Sequence, residues 1–462
     1  MSLLTLLVLG QAIVPNRAVS PDSVPSQSTA TQTLYVSTTG NDNNPCTSAG
    51  AACLTIDGAL NKLPNTLRHD ATISVAAGAY AAPLNITRKD LTIVGGVTLS
   101  VTGTMSTPTL TTGTTSGTLT ASAAGSASIG PGTVTDSGQS WTVNELKNKF
   151  IRFSSGTLSG QSFPISSNTA TVITIPSNQA AGTVAYTIEE IGSTFVSSSA
   201  ITWRGLQGAG NLSLSNLKVE RSSSGSGPSP NIGAVLTLTN VWVKGATGNG
   251  MFAQSGIVVA TRAIFEGTTG SAFGMSAVQG SATGVIPSKA SVSSCIARAT
   301  TGTAFSAPVF PAVGTFTPVI AEVSTGIGIS NAGTQSGQSA SAWVTCSSTG
   351  TGIQIGATIS NSSPFVYASQ AMNGGVRITG CATGISVVGF ASSLANAPAF
   401  DTVTTAFSAT RGGTIDLNGT TPAFTSVTNE FGIDGTFYSL ANLDALAAPK
   451  IYTNNYGSRI IR

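Results

Sequence analysis

The amino-acid sequence predicts an all-β solenoid, short strands wound into stacked coils, with a small antiparallel module inserted in it. Three observations predict this class. The first is composition: 8% of the 462 residues are charged, 6% are aromatic, 40% are hydrophobic and 53 are Gly. Helical bundles and coiled coils are excluded, because their exposed faces need far more Lys, Glu and Arg. Disorder is excluded because Val, Ile and Leu recur throughout and the charge is too low to keep a chain expanded. No run reaches the roughly 18 apolar residues of a membrane-crossing helix. The second observation is pattern: apolar residues fall in short runs closed by Gly or Pro, the mark of strands. The third is periodicity. The anchors Met251, Phe273, Phe305, Ile327, Ile353, Ile385 and Phe407 recur every 22 to 32 residues, often after a Thr-Gly turn. A coil of three short strands and three turns has that length.

Residues 1–32 form the first region. Met1–Gly10 is apolar like the core of a secretory signal, but no basic residue precedes it and no clear small-x-small cleavage site follows. It is read as a retained docking segment, joined by a Pro, Ser and Thr-rich linker to an ordered body that begins near Leu34.

Region 33–132 opens the body. Leu34-Tyr-Val-Ser is a strand, Gly40-Asn-Asp-Asn-Asn44 a polar turn, and Ile56 to Leu63 a short amphipathic helix. The strands Ala71–Tyr80, Leu84–Ile86 and Leu91–Ile93 follow. Taken in order, these elements resemble the N-terminal cap and first coils of right-handed parallel β-helix proteins of the pectin-lyase-like superfamily. The expected fold is therefore all-β, a right-handed parallel β-helix with a short N-terminal capping helix. Residues 101–132, almost entirely Thr, Ser, Gly and Ala, read as thin strands of those coils.

Region 133–192 changes character, gaining Trp141, Phe150, Phe153, Phe163, Tyr186 and more charge. Its short alternating runs predict a small antiparallel β module, and its pattern resembles insertions in phage and environmental β-helix proteins. Region 193–427 holds the repeat, about nine coils and a rod of about 45 Å at the ~4.8 Å spacing of stacked strands. Like residues should stack, and Cys295, Val323, Cys346, Cys381 and Val403 are expected to form one interior ladder. Region 428–462 has Leu440–Leu446 at helical spacing and reads as a C-terminal cap or contact segment.

Function is sparsely marked. A net charge of +3, with no basic run longer than Arg88-Lys89, excludes electrostatic capture of nucleic acid. Among the five cysteines, Cys46 and Cys53 are a disulfide candidate in an oxidising compartment, or else two thiols. Cys295, Cys346 and Cys381 read as buried core residues without chemistry. One His and no CxxC spacing exclude a zinc site. Asn41–Asn44 lacks the spaced acidic ligands of a calcium loop, and His69 reads as an exposed loop residue.

Parallel β-helix enzymes that cut polysaccharides need paired carboxylates, or a carboxylate cluster beside a base. Between residues 221 and 400 the carboxylates are Glu266 and Glu322, about two coils apart, and no Asp-x-Asp or Arg-x-x-Arg signature accompanies them. Asp401 and Asp416 read as turn residues. No residue is therefore assigned a catalytic, metal or cofactor role. The expected function is a structural or receptor-binding fibre protein of a phage virion, of the tail-fibre or tailspike type. The resemblance implies a homotrimer, other virion proteins as partners of the N-terminal segment, and a cell-surface glycan as ligand. A polysaccharide lyase or hydrolase on the same fold, and a bacterial surface adhesin, are the alternatives.

Overall fold

The computed structural model describes residues 26–461 apart from short segments, the longest being 123–131, 198–209, 222–234, 356–368 and 443–450. The docking segment Met1–Gly10 lies outside the described residues.

The fold is a parallel β-helix. Three walls of parallel strands run along it: wall 1 has fourteen strands, from Gln32–Val36 to Arg459–Ile461, and wall 2 has eleven, from Gly78–Tyr80 to Ala423–Thr425. Wall 3 has nine, from Met251–Gln254 to Ile451–Asn454. Each full coil contributes one strand to each wall in that order. Fourteen stacked strands make wall 1 about 62 Å long, more than the repeat region alone implied.

Strand alternation explains which residues face in. In wall 1, Ile73, Val101, Leu214, Leu238, Ala260 and Val292 lie in register and are buried. The intervening positions face outward in two hydroxyl ranks, Ser100, Ser213 and Thr237 in one and Thr102, Ser215 and Thr239 in the other. In wall 3, Met251, Phe273, Phe305, Ile329, Ile353, Ile385, Phe407 and Phe431 form a single rank. The anchor of the fourth coil is thus Ile329 and not Ile327, which pairs with Thr303. With that correction most coils measure 22 to 24 residues between anchors, and the two 32-residue coils carry extra chain at the corner from wall 3 to wall 1. One of those extensions is the antiparallel hairpin Val278–Gly280 and Gly284–Ile286.

The corners explain two sequence habits. Between walls 1 and 2 the chain turns on one residue with positive φ: Asn216 (55°), Asn240 (52°), Arg262 (56°) or Ser294 (53°). Asn tolerates this conformation best among non-glycine residues, and Asn240 Nδ2 donates to Asn216 Oδ1 at 3.2 Å, linking successive corners. The Thr-Gly turns lie at the corner from wall 2 to wall 3. A Cβ at Gly302 would strike the carbonyl oxygen of Gly270, and one at Gly326 that of Gly302. Backbone packs on backbone there, so only Gly fits.

At the N-terminal end, Ile56–Leu60 forms the helix. Thr55 caps it by accepting from Gly58 N at 2.9 Å. Asp42 accepts from Leu54 N and Thr55 N, each at 2.9 Å, and from Thr55 Oγ1 at 2.8 Å. The Asn41–Asn44 turn thus spends its carboxylate on the entry to this helix. Cys46 and Cys53 are bonded beside it, with Cα atoms 5.1 Å apart.

Four expectations are corrected. The single cysteine ladder divides: Cys295 is in register with Val319, Ala342 and Val376 at the start of wall 2 strands, whereas Val323 and Cys346 occupy their ends. Cys346 and Cys381 are not inert thiols but a disulfide joining successive coils, Cα–Cα 4.8 Å. Thr345 is in register with Thr379, so Cys346 lies beside Gly380 and the next residue, Cys381, comes within the reach of a disulfide. Cys295 stays free and buried, its thiol pushed up to about 12 by desolvation, which leaves it unreactive. Asp401 and Asp416 end the strands Ala399–Asp401 and Thr414–Asp416. In the C-terminal stretch with helical spacing, Leu440–Asn442 is a wall 1 strand between Thr414–Asp416 and Arg459–Ile461.

The inserted module is an antiparallel sheet built from residues 105–191. It takes in more chain than its composition marks. Ser116–Ser122, in the Thr and Ser-rich stretch, pairs antiparallel with Gly182–Ile191, and Met105–Ser106 pairs with the end of that strand. The module leaves the rod after the wall 1 strand Thr98–Thr102 and returns at the wall 2 strand Ser193–Ser197. It therefore replaces one corner, where the coils that follow turn on a single residue of positive φ. Its own core includes Trp141, Phe153, Phe163, Ile173, Tyr186 and Ile188.

Candidate functional site

Charge is unevenly distributed over the rod. Among the described strands, wall 1 carries Lys289, Asp416 and Arg459, and wall 3 carries Glu430 and Asp434. Wall 2 concentrates the rest. Glu220, Lys244, Glu266, Arg298 and Glu322 stand in register on five successive strands, alternating in sign. At about 4.8 Å spacing, opposite neighbours attract and a one-coil slip would set like charges together.

Glu266 and Glu322 are therefore two coils apart, as their distance in sequence implied, and Arg298 lies between them. Arg298 Nε donates to Glu322 Oε2 at 2.7 Å and Nη1 to Glu266 Oε1 at 3.3 Å. The module completes the group. Asn148 Oδ1 accepts from Arg298 Nη1, the Ser166 carbonyl accepts from Nη2 at 3.2 Å, and Ser166 Oγ donates to Glu322 Oε1. Asn148 Nδ2 donates to Glu266 Oε1 at 3.2 Å, and Lys147 Nζ lies 3.5 Å from Glu322. At the nearby corner Arg262 Nη1 donates to Gln161 Oε1 at 3.2 Å. The module thus leans along wall 2 and is latched about four strands, or some 19 Å, from its insertion point.

The electrostatics suit a latch. Burial pushes the Glu322 carboxyl up, but the Arg298 charge, the Arg298 and Ser166 hydrogen bonds and Lys147 outweigh it and hold the group below the usual carboxylate range. A general acid needs the opposite shift, so Glu322 is not poised to donate a proton. Both carboxylates spend acceptor capacity on the same guanidinium. Glu220 is likewise held low, chiefly by its hydrogen bond from Lys244 at 2.7 Å.

Beside this rank runs an apolar one: Trp242, Ile264, Ile296, Ile320 and Trp343 in register on the outer face of wall 2. Ile264, Ile296, Ile320 and Trp343 are buried there. Lys218 sits over the Trp242 ring, 4.2 Å from its centroid. Where the module ends, a cleft of about 740 Å³ opens between it and the rod. Asn144, Lys147, Ser166 and Thr174 line the module side. Ile320, Trp343, Thr345, Arg377 and Thr379 line the rod side, with Thr268, Thr300, Ser324 and Ser347 along one margin.

The other candidates lie apart from this cleft. His69 is exposed near the helix, its Nδ1 3.1 Å from the Ser28 carbonyl oxygen. The Cys46–Cys53 bridge closes the N-terminal turn. Among the described residues no three His, Cys, Asp or Glu side chains gather as a metal site would require, and no helix is long and apolar enough to cross a membrane. Sequence reasoning singled out Glu266 and Glu322 but missed Arg298 as their partner and the module as their cover. One signal was present: Lys244, Glu266, Arg298 and Glu322 each precede a rank residue of wall 3 by seven positions.

No family model matches the chain, and no curated protein matches it. Among solved structures it is similar to one described as a glycoside hydrolase, at 8% identity and a TM-score of 0.30 over 93% of this chain and 96% of that one. It is similar also to XylC in complex with xylose, at 8% identity and 0.28 over 93% and 71%. A third is the Pseudomonas phage phi297 tailspike gp61, at 10% identity and 0.26 over 84% and 74%. At such identities and scores no activity or ligand passes from them to this chain.

Proposed function

We propose that this chain is a non-enzymatic fibre or spike protein of a virion, that it assembles as a homotrimer, and that it attaches to a cell-surface glycan. The observation that carries the reading is the segregation of charge onto wall 2. Walls 1 and 3 meet at one corner and carry little charge, wall 1 presenting its hydroxyl ranks and wall 3 mixed uncharged rows such as Ser330, Gln354, Ser386 and Ser408. In a threefold assembly with that corner innermost, wall 1 of one copy faces wall 3 of the next and the hairpin Val278–Ile286 lies between copies. Wall 2, with its module and cleft, then faces outward. Wall 1 offers a face about 62 Å long and about 16 Å wide, on the order of 1,000 Å², which exceeds the ~800 Å² per partner of a standard interface. The two disulfides suit a protein that works in an oxidising exterior, and in this reading residues 1–32 join the rod to other virion proteins.

Mass photometry of the full chain tests the assembly. A trimer is expected, reduced to monomers by Ser213→Arg with Thr237→Arg on wall 1; a monomeric wild type overturns it. The enzyme reading is tested by glycan depolymerisation. Cleavage by the wild type that is lost in Glu266→Gln or Glu322→Gln would replace the binding reading with a catalytic one.

A further inference from the structure

We infer that the module is a hinged cover, which swings as a folded unit on a two-stranded stalk and uncovers an apolar strip of wall 2 when it undocks. Every group involved belongs to one copy, so the device is independent of assembly and of attachment.

The first support is connectivity. The chain leaves the rod through Gly103 and Thr104 and returns through Gly192. The root is fixed: Gly103 N donates to the Ser215 carbonyl, and Gly78 N to the Gly192 carbonyl, each at 2.8 Å. Just beyond it the stalk is a ribbon of two residue pairs, Met105 with Ile191 and Ser106 with Glu190. A two-stranded ribbon is weakly held and twists more than a wide sheet, and hinges are typically a few residues at the ends of elements. No shared core resists the motion, because the module's buried cluster is separate from that of the rod.

The second support is what lies beneath. Ile264, Ile296, Ile320 and Trp343 point outward from wall 2, yet none is more than 5% exposed. The last three form a cluster apart from both cores. On the module, Phe150 is fully buried but alternates with Ile151 and Phe153, which belong to the module's core, so it faces out of that core. The fastenings are polar and few: Asn148 and Ser166 on Arg298, Ser166 and Lys147 on Glu322, and Gln161 on Arg262.

The third support is the cost of docking. Among the described residues, four buried side-chain polar atoms lack a hydrogen-bond partner: Asn240 Oδ1, Trp242 Nε1, Arg262 Nε and Trp343 Nε1. All four belong to wall 2 or to its corner with wall 1, the stretch along which the module leans. Buried polar groups are normally paired, and water reaches these once the cover lifts. The cleft of about 740 Å³ is surface that the docked module leaves unfilled. Docking thus gains apolar burial and the latch but forfeits hydrogen bonds and packing, which keeps the two states close in free energy.

Hydroxyl-radical footprinting of the full chain, read by mass spectrometry, tests the device. Ile296 and Trp343 report the strip. Trp141, 2% exposed in the module's core, reports whether the module stays folded, and alkylation of Cys295, free and buried in wall 2, reports the rod's interior. Arg298→Met and, from the module side, Asn148→Ala should each raise oxidation of Ile296 and Trp343 about fivefold, while Trp141 and Cys295 stay protected. Sodium chloride at about 1 M should raise it about twofold in the wild type by screening the latch. The salt arm carries the test should a variant fail to fold. A strip that stays protected in both variants and in salt overturns the inference. So does a rise matched at Trp141 or Cys295, which would mean unfolding of the module or fraying of the rod in place of a hinge.

Discussion

The inserted module and the coils around it solve the same problem in opposite ways. The module pairs its strands antiparallel and fills its own core with Trp141, Phe153, Phe163 and Tyr186. Away from the latch it also pairs polar groups internally: Tyr186 donates to Asp136 at 3.0 Å and Gln139 Nε2 to Thr114 Oγ1 at 2.8 Å. A coil can do neither. Its strands pair only with the coils before and after, and its core is one slice of ranks such as Phe273, Phe305 and Ile329. Cohesion is local in the module and collective in the rod, so damage should stay local in one and spread in the other.

The largest effects test that contrast directly. Phe305→Ala and Trp141→Ala should each cost about 3–5 kcal/mol. In calorimetry the first should lower the main transition of the rod, and the second should split off an early transition while the main one stays in place. A single cooperative transition in both would show that module and rod melt as one body. Gly326→Val comes next, at about 3 kcal/mol or more, because its side chain must displace the backbone of the preceding coil. Valine at Gly160, where a Cβ meets nothing within 4 Å, should cost less and only through its positive φ of 82°. Comparing the two melting temperatures sharpens the distinction between crowding and local strain.

Opening the Cys346–Cys381 bridge with Cys381→Ser should cost about 2 kcal/mol, read as faster proteolysis of the C-terminal coils with the module unaffected. The smallest effect is acid release of the latch. Because the folded-state pKa of Glu322 lies below its unfolded value, its contribution is complete above the ordinary carboxylate range. It is lost as pH falls through the lowered value. Proteolysis between residues 105 and 191 should therefore rise in that acidic window before the rod melts, and Glu322→Gln should show the rise already at neutral pH.

What the sequence disclosed follows from which interactions repeat. The stacked architecture was legible because every coil imposes the same demand, so Met251, Phe273, Phe305, Ile353, Ile385 and Phe407 all mark one rank. Ile327 was mistaken for Ile329 because both flank Gly328 with identical side chains, and register chooses between them. The start of the module was hidden in a Thr and Ser-rich stretch whose composition suits parallel and antiparallel strands equally. The docked site was the least legible. Asn148, Ser166 and Gln161 lie 150, 156 and 101 residues from their respective partners Arg298, Glu322 and Arg262, and no local pattern encodes those contacts.

The corner between Thr102 and Ser193 has a further consequence. The following coil turns there on Asn216 alone and the preceding one on Ala76 and Ala77, yet here 105–191 intervene and the strands on both sides keep their register. The winding tolerates a passenger of any length wherever the two ends of the excursion emerge side by side. Such a scaffold can acquire new surface chemistry by grafting at its edges while its interior goes on being inherited unchanged.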